Sequence, residues 1–360
     1  MKKSSSKNNK DEINSKSIIL TSKKTKRQES PNKERNNKKK IKKTDHYNLI
    51  EKTSFRHITK SIFCVFNSLN NILYLIYSNE STSITSYNLI KNSKITELKK
   101  AHSKSITFLK HFFDKINSRD LLVSISSEEK NLKIWNLYNF SCIYTIQKSS
   151  IITAACPFID DNINYIIVNH CIYDFNYNKI LKIKEYRKKI FFMDTYYNKD
   201  LDKLFIIAGF SGCLKSYDYD ENEIYNTYGE SDNSDVYNSM EIIDDGIYVK
   251  MITSNRNGNI EIYDFNTGMI LKAIIVGYVV NCVCSFENKY LFIEYNNGMI
   301  RQMDLERLTT INTFNSNYKQ DVIFKIISCP NFGNYLISQG KCNGEIKLWE
   351  INRVHFIFNY

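Results

Sequence analysis

Six histidines, at positions 46, 57, 102, 111, 170 and 355, are the side chains best suited to proton transfer or metal ligation near neutral pH. No two of them have the close spacing of a metal-ligand pair. The nine cysteines are scattered without a CxxC pair, Cys282 and Cys284 being the only close neighbours. Some, such as Cys64 in Ile62-Phe63-Cys64-Val65-Phe66, sit inside apolar runs, where cysteine packs as a small hydrophobe. Paired carboxylates occur at Asp160-Asp161 and Asp244-Asp245, in segments that read as loops. Neighbouring acids in a loop are ordinarily solvated turn formers, without the split environments that acid/base work demands. The chain has no GxGxxG, Walker loop, HExxH or GxSxG. The expectation is a protein that is not an enzyme, with no cofactor, no metal site and no small-molecule substrate.

Charge divides the chain. Residues 1–45 hold sixteen Lys and Arg against five Asp and Glu, a net of +11 out of +12 for the whole, so residues 46–360 are nearly neutral at +1. Any attraction to nucleic acid or to an import receptor therefore resides in the first 45 residues. That stretch is rich in Lys, Ser and Asn with almost no aromatics, a composition that cannot bury enough apolar surface to offset ordering, and it reads as a disordered basic arm. Two clusters stand out in it: Lys23, Lys24, Lys26 and Arg27, and then Lys38, Lys39, Lys40, Lys42 and Lys43. Each is a candidate nuclear-import or RNA-contacting element. No apolar run has the length of a signal peptide or a bilayer span, so an intracellular, soluble protein of the nucleus, nucleolus or cytoplasm is expected, with no membrane partner.

Beyond the arm the chain repeats itself. Leu132-Lys133-Ile134-Trp135-Asn136-Leu137 and Ile346-Lys347-Leu348-Trp349-Glu350-Ile351 are short strands ending in an aromatic residue followed by Asp or a near equivalent. The same pattern recurs around Tyr87, Tyr173, Tyr217, Tyr263 and Met303, and successive anchors lie 48, 38, 44, 46, 40 and 46 residues apart. Gly212, Gly258, Gly298 and Gly344 each stand five residues before an anchor, three of them after Asn. Asn-Gly between β-rich runs favours a tight hairpin, because both residues tolerate positive φ. Segments such as Leu204–Ala208 and Asn164–Val168 are apolar on both faces and read as inner, doubly covered strands.

Seven such units in register resemble the WD40-repeat family, whose period is about 40–45 residues. The resemblance spans residues 47 to 360 and implies an all-β, seven-bladed β-propeller, residues 46–360, behind the arm. Family members usually carry a hydrogen-bonded set of His, Ser or Thr, Asp and Trp within a blade. Blade two comes nearest, with His102, Ser124 or Ser126, and Trp135, whereas its turn Glu128-Glu129-Lys130-Asn131 has no Asp. His57 takes the equivalent place at the head of blade one. Two segments could close the ring: Tyr47–Glu51 as an outer strand of the last blade, which is favoured, or Val354–Phe358 as a local hairpin.

By the same resemblance, loops preceding each first strand receive peptides. Here they supply Arg56, His57, Lys104, Lys148, Arg187, Lys188 and Lys319, a basic rim suited to an acidic or phosphorylated protein segment. The resemblance thus implies a non-catalytic scaffold or adaptor. An RNA-associated assembly factor using the arm, for example in ribosome maturation, is the second reading. A ubiquitin-ligase substrate receptor is the third, resting on Trp349-Glu350-Ile351-Asn352-Arg353 as a distorted WDxR element.

Overall fold

The computed structural model describes residues 18–20, 46–55, 61–68, 72–79, 82–176, 178–183, 189–229, 236–315, 322–329, 333–340 and 346–354. Among these there is no helix. Twenty-nine strands form seven antiparallel sheets, one of which takes a fifth strand. Blade one runs Ser61–Asn67, Leu73–Asn79, Ile84–Asn88 and Ser93–Leu98 from the inside outward. Blades two to six follow the same order: Phe108–Gln147, Ala155–Lys182, Phe192–Tyr228, Tyr237–Ile275 and Val280–Asn315; blade seven holds Val322–Cys329, Gly333–Gly340, Ile346–Val354 and His46–Phe55. The protein is a seven-bladed β-propeller.

Burial rises and falls across each blade as a ring of radial sheets demands. In blade two the second strand, Arg119–Ser126, is buried along nearly its whole length, whereas the outer strand, Ser141–Gln147, is mostly exposed. The inner strands Lys203–Gly209 and Ile163–Val168 likewise carry apolar side chains to both faces, as their sequences require.

Seven apolar clusters hold the ring, one at every junction between neighbouring blades. The repeat anchors explain why. Trp135 packs with Phe66 and Ile76 of blade one, Tyr173 with Leu121 and Val123 of blade two, and Tyr217 with Ile167 and Ile172 of blade three. Tyr263 reaches Phe205 of blade four, Met303 reaches Ile252 of blade five, and Trp349 reaches Phe292 of blade six. Tyr87 closes the series against the cluster shared with blade seven. Every anchor therefore sits on the third strand of its blade and fills the gap to the preceding one.

The residue after each anchor except Trp349 has a separate task. The side-chain oxygens of Asp218, Asp264 and Asp304 accept backbone N–H groups from the turn that follows, at 2.8–3.1 Å. Asn88 and Asn136 do the same. Asp and Asn are the residues whose short side chains cap such turns, which is why either type serves.

The turns at Gly258 and Gly298 are of a different kind from the one the sequence suggests. Gly212, Gly258 and Gly298 take φ of 86°, 82° and 79°, while Asn257 and Asn297 are not among the positive-φ residues. The Gly258 N–H reaches the Asn255 carbonyl at 3.2 Å and that of Gly298 reaches Tyr295 at 2.9 Å. This is a type I turn followed by a left-handed glycine, so only the glycine needs positive φ. A Cβ at Gly258 would also meet the Tyr278 carbonyl oxygen at 2.4 Å. Gly344 lies outside the described residues.

Ring closure follows the amino-terminal route. His46–Phe55 pairs antiparallel with Ile346–Val354, from His46 opposite Val354 to Phe55 opposite Ile346, and becomes the outer strand of blade seven. The competing segment beyond Val354 lies outside the described residues. Of the arm, only Ile18–Leu20 is described. It adds a fifth strand to the outer edge of blade five, a pairing that the arm's composition did not announce.

Candidate functional site

Blade two carries a continuous hydrogen-bonded chain. The Trp135 indole N–H donates to Ser124 Oγ at 2.8 Å, and Ser124 Oγ lies 2.7 Å from His102 Nε2. On the other side of the ring, His102 Nδ1 faces Glu129 Oε2 at 2.7 Å and Asn131 Oδ1 at 2.9 Å. Because both Nδ1 partners are acceptors, the proton sits on Nδ1, and Nε2 accepts from the serine hydroxyl. Glu129 also receives the backbone N–H groups of Ser103 and Lys104. It fills the place that the turn's lack of Asp had left open: its extra methylene lets a residue near the middle of the turn reach the histidine.

Burial lowers the His102 pKa, against the raising effect of Glu129. Burial alone would raise that of Glu129, but bonds from Ser103 and His102 hold it down to about 2. Both shifts favour deprotonated forms in the folded state. The stabilisation is therefore complete above the unfolded pKa values, about 6.5 and 4.3, and is lost as pH falls below them. Between pH 7 and pH 3 the urea midpoint is expected to fall steadily. Glu129→Gln should remove the steepest part of this fall, below pH 4.5. An unchanged profile in the variant would contradict this assignment.

Other blades solve the same problem differently. In blade seven the Trp349 N–H donates to Ser338 Oγ at 2.8 Å. In blade five Tyr263 and Tyr237 both donate to Glu261 Oε2, at 2.5 and 3.2 Å. These are internal ties within blades.

Of the basic rim expected on the ring face formed by the loops before each first strand, Lys104 and Lys148 are described. Lys104 is exposed there and Lys148 half-buried, its ammonium 4.7 Å from the Tyr173 ring centre and in contact with that residue's hydroxyl. The loop between second and third strands opens on the same end of a blade. It carries His170, whose carbonyl accepts the Ile183 N–H at 2.8 Å, next to Lys182 at the end of the outer strand, with Lys179 further down it. Burial lowers the His170 pKa, and the charges that lower it further, Lys182, Lys148 and Lys179, are all cationic. Arg56, His57, Arg187, Lys188 and Lys319 lie outside the described residues, as do the arm cations Lys23 to Arg27 and Lys38 to Lys43.

Elsewhere the structure brings together groups that are distant in sequence. Lys110, Cys156 and Asp194, from the first strands of blades two, three and four, meet with Lys110 Nζ 2.8 Å from Asp194 Oδ1 and 3.3 Å from Cys156 Sγ. Burial pushes the Cys156 thiol up to about 11, so it is protonated at neutral pH and a poor nucleophile. His111 stacks on Phe66 at 3.7 Å and bonds Asp120 at 2.8 Å, tying blade two to blade one. The sequence reads it as a surface or turn residue; its partner ring lies 45 positions away, which no local pattern reveals. On the opposite face of the ring, grooves of about 470 Å³ and 360 Å³ run between blades one and two and between blades five and six. Among the described residues no three His, Cys, Asp or Glu are grouped to hold a metal ion, and no helix is long and apolar enough to cross a membrane.

No family model matches the chain, and no curated protein matches it. The architecture is similar to that in the crystal structure of Chaetomium thermophilum Raptor. The TM-score is 0.64 at 13% identity, covering 87% of this chain and 30% of that one. This chain therefore spans less than a third of that protein's length, and at such identity the likeness is one of fold alone. Structural similarity extends to 1596 chains, so it marks an architecture that hosts many functions.

Proposed function

We propose that this chain is a WD-repeat-type scaffold, non-catalytic, whose basic rim holds an acidic or phosphorylated segment of a partner protein in an intracellular assembly. The observation that supports this most is the cation set around His170. The charges of Lys182, Lys148 and, further along the outer strand, Lys179 all act on one partly buried imidazole at the end of blade three. A set of like charges with a partly desolvated centre is relieved by an anion, and phosphate or carboxylate offers that charge with hydrogen-bond acceptors. Rigid scaffolds present such sites on loops. The rim residues Arg56, His57, Lys104, Arg187, Lys188 and Lys319 extend the same surface in this reading.

Arrayed phosphorylated and acidic peptides, presented to the intact chain and to Lys148→Glu/Lys182→Glu, test it. Binding is expected to fall at least tenfold in the double variant, and the His170 imidazole to gain affinity for protons when a peptide is bound. Equal capture by both chains would refute the rim.

The arm's net charge of +11 supports a second reading, an RNA-associated assembly factor whose arm contacts phosphates while the propeller holds a protein. RNA affinity that drops steeply with salt and disappears on removal of residues 1–45 would favour it; residual binding by the propeller alone would not.

A further inference from the structure

The outer strand of blade five differs from its counterparts. Edge strands are normally blunted by charge. Ser93–Leu98 carries Lys94 and Glu97, Lys179–Lys182 carries a lysine at each end, and Glu223–Tyr228 begins with a glutamate. Ser141–Gln147 and Thr309–Asn315 carry no charge but are rich in Ser, Thr, Gln and Asn, whereas Ile270–Ile275 reads Ile-Leu-Lys-Ala-Ile-Ile, with five apolar residues in six. Ile270, Leu271 and Ile275 are 49%, 39% and 46% exposed, and Met269 just before them is 67% exposed. An apolar edge of this kind is a template for any extended apolar segment.

The arm contains one such segment. Within its first 45 residues, Ile18-Ile19-Leu20 is the only run of adjacent large aliphatic residues, and two of the three are β-branched. Those three residues form the strand that pairs with blade five, with Ile18 opposite Ile275, Ile19 opposite Ile274 and Leu20 opposite Ala273. The most apolar outer edge and the arm's single apolar triplet thus meet, antiparallel and in register.

We propose that the outer edge of blade five is a strand-acceptor site, occupied in the same molecule by Ile18–Leu20. The chain is then fastened to the propeller twice, at blade five by this strand and at blade seven by His46–Phe55. The pairing brings the start of the basic run Lys23 to Arg27 within three residues of the blade-five edge. A partner that adds an apolar strand at this edge has to displace Ile18–Leu20. Strand augmentation of this kind draws affinity from main-chain hydrogen bonds and selectivity from alternate side chains. The site is separate from the basic rim and stands or falls independently of it.

Hydrogen exchange read by mass spectrometry on the full chain, beside Ile18→Ser/Ile19→Ser/Leu20→Ser, tests the proposal. Amides within 270–276 are expected to exchange at least tenfold faster in the variant, while 249–255, inside the same blade, stay unchanged. A synthetic peptide of residues 14–24 added to the variant should restore protection. Equal exchange of 270–276 in both chains would overturn the proposal. So would protection that vanishes on dilution together with a dimeric mass, which would put a second copy's arm on the edge instead.

Discussion

Tyr47→Ala is expected to cost about 3–5 kcal/mol of folding stability, the range for deleting a buried aromatic side chain. Tyr47 is 2% exposed and belongs to the strand that closes blade seven. Its ring meets Phe286 and Tyr290 of blade six edge-on, with centroids 5.2 and 5.3 Å away, and its hydroxyl donates to Glu287 at 2.7 Å. The Asn312 side chain of blade six also bonds its carbonyl at 3.2 Å. One residue near the start of the propeller thus anchors the clasp to the blade before it. Tyr47→Phe keeps the rings and loses only the bond to a carboxylate, so its cost should stay near 1–2 kcal/mol. Denaturant unfolding of the two variants separates packing from hydrogen bonding. Equal, small losses in both would mean that the clasp contributes little to the ring.

Trp135→Ala should be at least as damaging, at about 4 kcal/mol or more. The indole fills the junction with blade one, and its removal leaves a cavity there. It also strips the donor from Ser124, which is fully buried and coupled through His102 to Glu129. The comparison with blade seven isolates the second effect. Trp349 makes the same 2.8 Å bond to Ser338. Trp135→Phe is therefore expected to cost more than Trp349→Phe, and the excess should disappear in a His102→Ala background. Equal costs in the presence of His102 would show that the chain beyond the serine adds nothing.

Much of this architecture was legible because each repeat position answers a physical need that recurs seven times. An aromatic or large side chain on every third strand fills an inter-blade gap, and in six blades an Asp or Asn after it caps a turn, so Met303 and Asn136 fit where Tyr263 and Asp264 stand. The glycines were legible in position but not in geometry, since Asn-Gly fits two kinds of turn and only the backbone distinguishes them. Glu129 was passed over because the expected residue was Asp; a carboxylate one methylene longer does the same work from the same turn. The blade-five pair of Tyr237 and Tyr263 on Glu261 had no signal at all, because it replaces the Trp and His of the repeat with different chemistry. Likewise the cations around His170 come from two separate segments, a loop of blade two and the outer strand of blade three, so their proximity is a property of the ring and not of any local segment. The strand Ile18–Leu20 was hidden by the composition of the arm around it: an average over 45 residues conceals three.

The propeller is a single closed ring clasped by its own amino-terminal strand. Native-state hydrogen exchange across residues 47–52 and 347–353 measures that closure directly. Amides paired between His46–Phe55 and Ile346–Val354 are expected to exchange only as slowly as the second strands of the blades, through opening of the whole ring. Rapid exchange throughout 47–52 would contradict it, and would leave the last blade to be completed by another part of the chain.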